Sequence, residues 1–209
     1  MWRVACLAIL LVASQARAEL VSGIPRIIDG DTFEIGLTTI RLSGIDAPEV
    51  AQPGGVDAIG ALADLVEAKQ TRCEGSQRDA YKRLIATCNA GEGDVGAALV
   101  SRGHAWAYTR YSAAYFGLEQ AARRSHEGIW RGSPEAPWDF RAKRWKAAEQ
   151  TAPEGCPIKG NITRHSQRIY HAPWSPWYRK TSVDARKGER WFCSEREALD
   201  AGWRAPYWH

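Results

Sequence analysis

Apolar and polar residues alternate through "LVSGIPRIIDGDTFEIG" and "TTIRLSGI", with Gly or Asp at the breaks, which predicts three strands joined by turns. Phe33, Ile35, Ile40, Leu42 and Ile45 mark the apolar positions of a hairpin, and Gly36 marks its turn. From Val56 to Lys69 the period changes, with Ile59, Leu62, Leu65 and Val66 at helical spacing, which predicts a helix. Two further strands follow, about Thr71 to Glu74 and Leu84 to Cys88, with the polar loop "GSQRDAYKR" between them. "GDVGAALVSRGH" reads as a short helix closed by Gly103. "SAAYFGLEQAARRSHEG" reads as a longer one, N-capped by Ser112 and stopped by Gly128. Five strands with a helix between the third and fourth fit an α+β fold, an OB-fold five-stranded β-barrel with three helices.

At Gly132 the texture changes to "GSPEAPWDFRAKRWKAAEQTAPEG", a Pro-rich opening, a basic amphipathic helix and a second Pro/Gly break. The division expected is a signal peptide over 1–18, the barrel domain over 19–131, a linker with its helix over 132–155, and a small aromatic-rich C-terminal module over 156–209. That module has strand-like pieces "RIYH" and "RWFCS" and a short helix "SEREALDAG" capped by Ser194. Trp174, Trp177, Trp191, Trp203 and Trp208 could stack on sugars or bases, but a unit this small usually spends its tryptophans on its core, and Trp191 and Trp203 are expected there.

Composition narrows the class. With 209 residues, 44% hydrophobic and 25% charged, the chain can bury a sizeable core and is not of the disordered class. "MWRVACLAILLVASQARA" has a weak basic start, a short apolar run and a small-x-small end at Ala16-Arg17-Ala18, so cleavage after Ala18 and a secreted or periplasmic mature protein with no membrane span are expected. Losing Arg3 and Arg17 takes the formal charge from +4 to +2, a balance that does not by itself argue for nucleic acid. Arg123, Arg124, Arg131, Arg141, Lys143, Arg144 and Lys146 cluster after the middle of the chain and could form a basic face, although solvated surface is the commoner fate of such a run. Four cysteines remain in the mature chain, and in an exported protein an even count reads as disulfides; neighbouring strands pair Cys73 with Cys88, and Cys156 with Cys193 brackets the tail. A zinc site from Cys156, His165, His171 and Cys193 is the weaker alternative, because its spacing lacks the paired short loops of structural zinc sites.

The candidate chemistry lies in "DGDTFEIGLTTIRLSGIDAPE", where Asp29, Asp31, Asp46 and Glu49 surround one hairpin with a single Arg41. In a closed barrel the ends of the first three strands come close, so Asp31 and Asp46 can meet; two carboxylates, a carbonyl and waters suit a hard cation such as Ca2+. Glu49 beside such a cation can act as general base for water. Arg41 on its strand, and Arg83 on the loop entering the fifth strand, can fork onto phosphoryl oxygens. Bland readings compete: Asp-Gly-Asp as an ordinary turn, Arg41 paired with Glu34 across the hairpin, Arg83 as plain surface.

"IIDGDTFEI", "IRLSGIDAPE", "RDAYKR" and "GIW", in this order over about Val21 to Trp130, resemble the staphylococcal nuclease (thermonuclease) family, whose fold is an OB barrel with three helices. The resemblance implies Ca2+-dependent hydrolysis of DNA and RNA to products with 3′-phosphates; a monomer is expected. It makes Asp31 and Asp46 metal ligands, with Ala47 contributing its main-chain carbonyl. It makes Glu49 the general base, and Arg41 and Arg83 the phosphate-binding, transition-state arginines. Tyr81 matches a tyrosine near the phosphate. Tyr111 matches one near the base, where stacking would favour single strands, or else packs on the third helix. Two departures stand out: Lys82 replaces the glycine common before the second arginine, and the loop "VAQPGGVDA" after Glu49 has no lysine. The tail resembles C-terminal extensions of some exported bacterial members. A non-catalytic module that binds nucleic acid or envelope polysaccharide is the alternative.

Overall fold

The computed structural model describes residues 18–91 and 93–207; the expected signal peptide, apart from Ala18, and Trp208 lie outside them. Strands β1 (Glu19–Gly23), β2 (Arg26–Ile27), β3 (Thr32–Ile35), β4 (Thr38–Leu42) and β5 (Ile45–Asp46) lead into helix α1 (Gly55–Val66). Then come β6 (Thr71–Arg78), β7 (Leu84–Ala90), β8 (Gly93–Asp94), α2 (Val95–Ser101), β9 (Trp106–Ala107) and α3 (Phe116–Arg124). The curled main sheet runs β1-β6-β7-β4-β3-β2 with β8 on β7, while β5 pairs with β9. All pairings in it are antiparallel except β4 on β7, which closes the barrel. This is the OB-fold expected, with α1, α2 and α3 as its three helices; the strands are cut into shorter pieces than the sequence suggests because the chain bends between β1, β2 and β3.

Side-chain alternation drives that curl. Phe33, Ile35, Ile40, Leu42 and Ile45 all point inward and are buried, together with Ile59, Leu62 and Val66 of α1. Cys73 and Cys88 lie directly opposite in the β6/β7 register and form a disulfide. Asp94 caps α2 by accepting from the Ala97 N–H at 3.1 Å. The third helix begins later than expected, at Phe116, because the Ser112 hydroxyl accepts from the Ala114 N–H and caps a local turn instead of the helix.

The segment 132–155 holds helix α4 (Pro137–Glu149). Trp138 packs toward Trp106 and Trp130, while Trp145 packs on the second core, so the helix touches both units. Beyond it, β10 (Ile158–Ile162), β11 (Arg168–His171) and β12 (Arg190–Phe192) form a sheet in the order β11-β10-β12, followed by α5 (Glu195–Asp200). Cys156 and Cys193 are joined, so both thiols of the zinc alternative are spent in a disulfide. Ser194 caps α5, accepting from the Glu197 N–H at 3.1 Å. Trp203 is a core residue, but Trp191 is not: β12 turns Phe192 inward and leaves Trp191 half-buried near the Lys159 ammonium. Among the described residues no helix is long and apolar enough to cross a membrane.

Candidate nuclease site

Asp31 stands just before β3 and Asp46 closes β5, and the barrel brings them together around Arg41. The β3/β4 register sets Thr32 opposite Arg41, so the guanidinium lies over the strand ends and not toward Glu34. It donates to Asp31 Oδ1, to Asp46 Oδ1 at 3.0 Å and to the Ile45 carbonyl at 3.3 Å. Glu34 takes Arg26 and the Tyr207 hydroxyl instead, which removes the cross-hairpin reading of Arg41. Asp31 Oδ2 also accepts from the Ala47 N–H at 3.0 Å, locking the two strand ends to each other across sixteen positions. Burial works against the Asp31 charge, but Arg41 and the Ala47 N–H outweigh it and hold the carboxyl below the usual carboxylate range. For Asp29 the balance is reversed: burial and the Asp31 charge outweigh the Asp31 N–H, Arg41 and Arg83 and push it up to about 7.

Glu49 is held by its own loop. Its N–H donates to Gln52 Oε1 at 3.2 Å and its carbonyl accepts from the Gln52 N–H at 2.7 Å. Gln52, buried, is fixed in turn through its amide to the Glu135 carbonyl at 2.6 Å. A Cβ on Gly55 would stand 1.9 Å from the Glu49 carbonyl oxygen, so only glycine lets α1 start against the backbone of the proposed base. Gln52 and Gly55 are site residues that sequence reading missed, since each acts through the backbone of Glu49.

Arg83 sits on a loop tied by Asp79, whose carboxylate accepts from the Tyr81 N–H, the Arg83 N–H and the Arg83 Nε at 2.7–3.0 Å. Lys82 takes the left-handed backbone that glycine would supply, with φ of 66°, and its N–H still closes the turn on the Asp79 carbonyl. Its ammonium reaches Asp200 of α5 at 2.6 Å. The departure from glycine therefore leaves the loop formed and adds an anchor to the C-terminal unit.

Asp31, Arg41, Ala47, Glu49, Tyr81, Arg83 and Tyr111 all border one cleft of about 850 Å³; Asp46 lies just behind them, fully buried. Tyr111 is exposed and meets Tyr108 edge-on at 5.1 Å, and Tyr108 in turn stacks on Trp138 at 5.5 Å. Residues from outside the barrel line the same cleft: Trp145 of α4, Trp174, and Glu195 of α5.

The largest surprise is Arg141. Grouped by sequence with a basic surface run, it enters the site, donating to Asp46 Oδ1 at 3.1 Å, Asp46 Oδ2 at 2.7 Å and Glu49 Oε1 at 2.7 Å. Glu49 feels opposed forces, with burial pushing its carboxyl up to about 8 while Arg141 pulls it down. A signal was present: Trp138, Arg141 and Trp145 follow at i, i+3 and i+7, one face of a helix carrying two tryptophans and a single cation.

The donor types suit a hard cation, with two carboxylates and the Ala47 carbonyl available. Among the described residues no three His, Cys, Asp or Glu side chains stand together as a ready cage, and both Asp46 oxygens are engaged by guanidinium groups. A cation here would draw on two side chains, main chain and water, and would have to compete with the arginines for Asp46.

A closed barrel with paired acids and arginines at its strand ends has the groups to hold a cation and a phosphodiester. The model of the staphylococcal nuclease homologue family matches residues 39–132, and that of the family described as ArfC matches residues 139–205. Protein ParB of Escherichia coli is 37% identical over 156 residues, covering 66% of this chain and 88% of its own length. The succinoglycan biosynthesis protein ExoI of Rhizobium meliloti is 37% identical over 141 residues, covering 61% of this chain and 74% of its own length. The micrococcal nuclease of Shigella flexneri is 32% identical over 168 residues, covering 71% and 93%. The chain belongs to the staphylococcal nuclease family, and its nuclease relatives support hydrolytic nuclease activity, although ParB and ExoI carry other names.

Proposed function

We propose that the protein is an exported, Ca2+-dependent nuclease that cleaves single-stranded DNA and RNA to products ending in 3′-phosphate, acting as a monomer. The observation that carries this reading is the convergence of Asp31, Asp46 and Glu49 with Arg41 and Arg83 at one cleft. Asp31, Asp46 and the Ala47 carbonyl would hold the cation, which when bound supplies positive charge to a phosphoryl oxygen. Glu49 takes a proton from water as the water oxygen bonds to phosphorus. Arg41 and Arg83 donate N–H groups to the non-bridging oxygens, whose extra charge peaks in the pentacoordinate state. The bond from phosphorus to the 5′-oxygen then breaks, and that oxygen takes a proton from solvent water, leaving a 3′-phosphate and a 5′-hydroxyl. Tyr81, Tyr111, Trp145 and Trp174 all line the cleft and offer stacking faces that an unpaired strand can use. Two disulfides suit an oxidising compartment and support export through the 1–18 leader.

A non-catalytic binder remains the second reading, favoured by one observation, Arg141 standing on both Asp46 and Glu49. Labelled single-stranded DNA and RNA incubated with the mature chain, with Ca2+ or with chelator, separate the two. Ca2+-dependent fragments with 3′-phosphate ends support the enzyme; retention of intact strands under both conditions supports the binder.

A further inference from the structure

Helix α4 belongs to neither sheet, yet Arg141 is more deeply engaged with the site than Arg83. The two side chains are about equally shielded, at 26% and 24% exposure, but the Arg141 guanidinium spans a carboxylate at 0% exposure and one at 15%. Arg83 keeps to Asp79 and touches neither of the carboxylates that Arg141 holds. The placement of Arg141 is fixed from both ends of its helix, by Trp138 stacked on Tyr108 and by Trp145 packed on the C-terminal core and near Trp174. It is therefore delivered by the segment that follows the barrel, within residues matched by the second family model.

Elementary electrostatics then sets a competition. Asp46 has two oxygens: one is shared by Arg41 and Arg141, and the other is held by Arg141 alone. Stripping a buried carboxylate of its cationic partner is costly unless another cation replaces it. A hard divalent ion at Asp31 and Asp46 needs Asp46 oxygen directly, so the ion and Arg141 claim the same atom.

We propose that Arg141 is a working residue of the cation site: it occupies Asp46 as a built-in counter-ion, and Ca2+ binds by taking that carboxylate from it. The segment that follows the barrel thus sets the cation affinity of the barrel through one side chain, while Arg41 stays with Asp31. Freed from Asp46, the guanidinium keeps its bond to Glu49 and remains at the mouth of the cleft. This inference rests on the reading of Asp31 and Asp46 as cation ligands.

Calorimetric titration of Ca2+ into the mature full-length chain, without nucleic acid, tests it directly. Arg141→Gln should tighten Ca2+ binding about tenfold or more, and Arg141→Lys, which keeps a competing charge, should stay within about threefold of the wild type. Arg83→Gln removes a charge from the same cleft without touching Asp46, and its gain should be clearly smaller. Should Arg141→Gln unfold, Arg141→Lys against Arg83→Gln still decides: a larger gain in Arg83→Gln than in Arg141→Lys agrees with a competing charge on Asp46, and the reverse order contradicts it. Equal gains in Arg141→Gln and Arg83→Gln, or no gain, overturn the competition while leaving the cation site standing. Absence of Ca2+ binding in every form, Arg141→Gln included, overturns the cation site and this inference with it.

Discussion

The barrel and the C-terminal unit bury themselves by different means. Among the described residues, the barrel gathers nineteen buried apolar side chains in one cluster, from Phe33 on β3 to Tyr115 before α3. The C-terminal unit gathers five: Ile158, Tyr170, Phe192, Ala198 and Trp203. A core of the first size can carry a fold alone, whereas one of the second needs staples. Its staples are Cys156–Cys193, the Ser194 cap, Trp145 of α4 and the Lys82–Asp200 ion pair. The two units also differ in what they bring to the cleft. Apart from Arg141, every residue of the inferred chemistry comes from the barrel, and the segment after the barrel brings that guanidinium, two indole rings and Glu195.

The contrast predicts unequal responses to equal damage. Phe33→Ala and Phe192→Ala each remove a fully buried ring, at a cost of about 3–5 kcal/mol. In the barrel that loss should lower Tm with one cooperative transition retained. In the small core it should melt the C-terminal unit first, seen as a separate early transition by calorimetry. A single shared transition in both variants would mean that the two units fold as one.

Disulfides come next in size. Chain-entropy arguments give about 3 kcal/mol for the 15-residue separation of Cys73–Cys88 and about 4 kcal/mol for the 37-residue separation of Cys156–Cys193. Replacing Cys156 and Cys193 by Ala should destabilise more than replacing Cys73 and Cys88, whose strands are held by the β6/β7 ladder. Denaturant midpoints followed by tryptophan fluorescence measure both. The reverse order would show that the barrel is the more dependent unit.

A smaller effect separates the units by pH. His171 on β11 is pushed down to about 4, by burial and by the Lys159 ammonium, while its ring lies against Asn161, Ser175 and Trp177. Protonation therefore favours the unfolded chain. The stability is whole above the unfolded value of about 6.5, and is lost as pH falls from there toward 4, by on the order of 2 kcal/mol. His171→Gln should flatten that slope in the C-terminal transition and leave the barrel transition unchanged.

Which parts of this could be read from sequence follows from how local their causes are. The hairpin residues Phe33, Ile35, Ile40, Leu42 and Ile45 were legible because a period of two is written directly into the chain. Cys73 and Cys88 were legible because neighbouring strands leave few partners. Ser112 misled, since a hydroxyl that can cap a helix can equally cap the turn before it. Trp191 misled because the choice between it and Phe192 depends on which face of β12 meets the core. Asp31 and Asp46 were placed correctly beside each other by the closure of the barrel. Arg141 was not, because its partners lie 92 and 95 positions away and its neighbours Lys143 and Arg144 are ordinary exposed cations.

The account stands most squarely on Glu49 as the group that activates water. Single-turnover cleavage of labelled single-stranded DNA in saturating Ca2+, by wild type and by Glu49→Gln, tests it most directly, with Tm checked on both. The account predicts a loss of about 10²–10⁴-fold in rate, with the fold retained. A Glu49→Gln rate within a few-fold of wild type would contradict it.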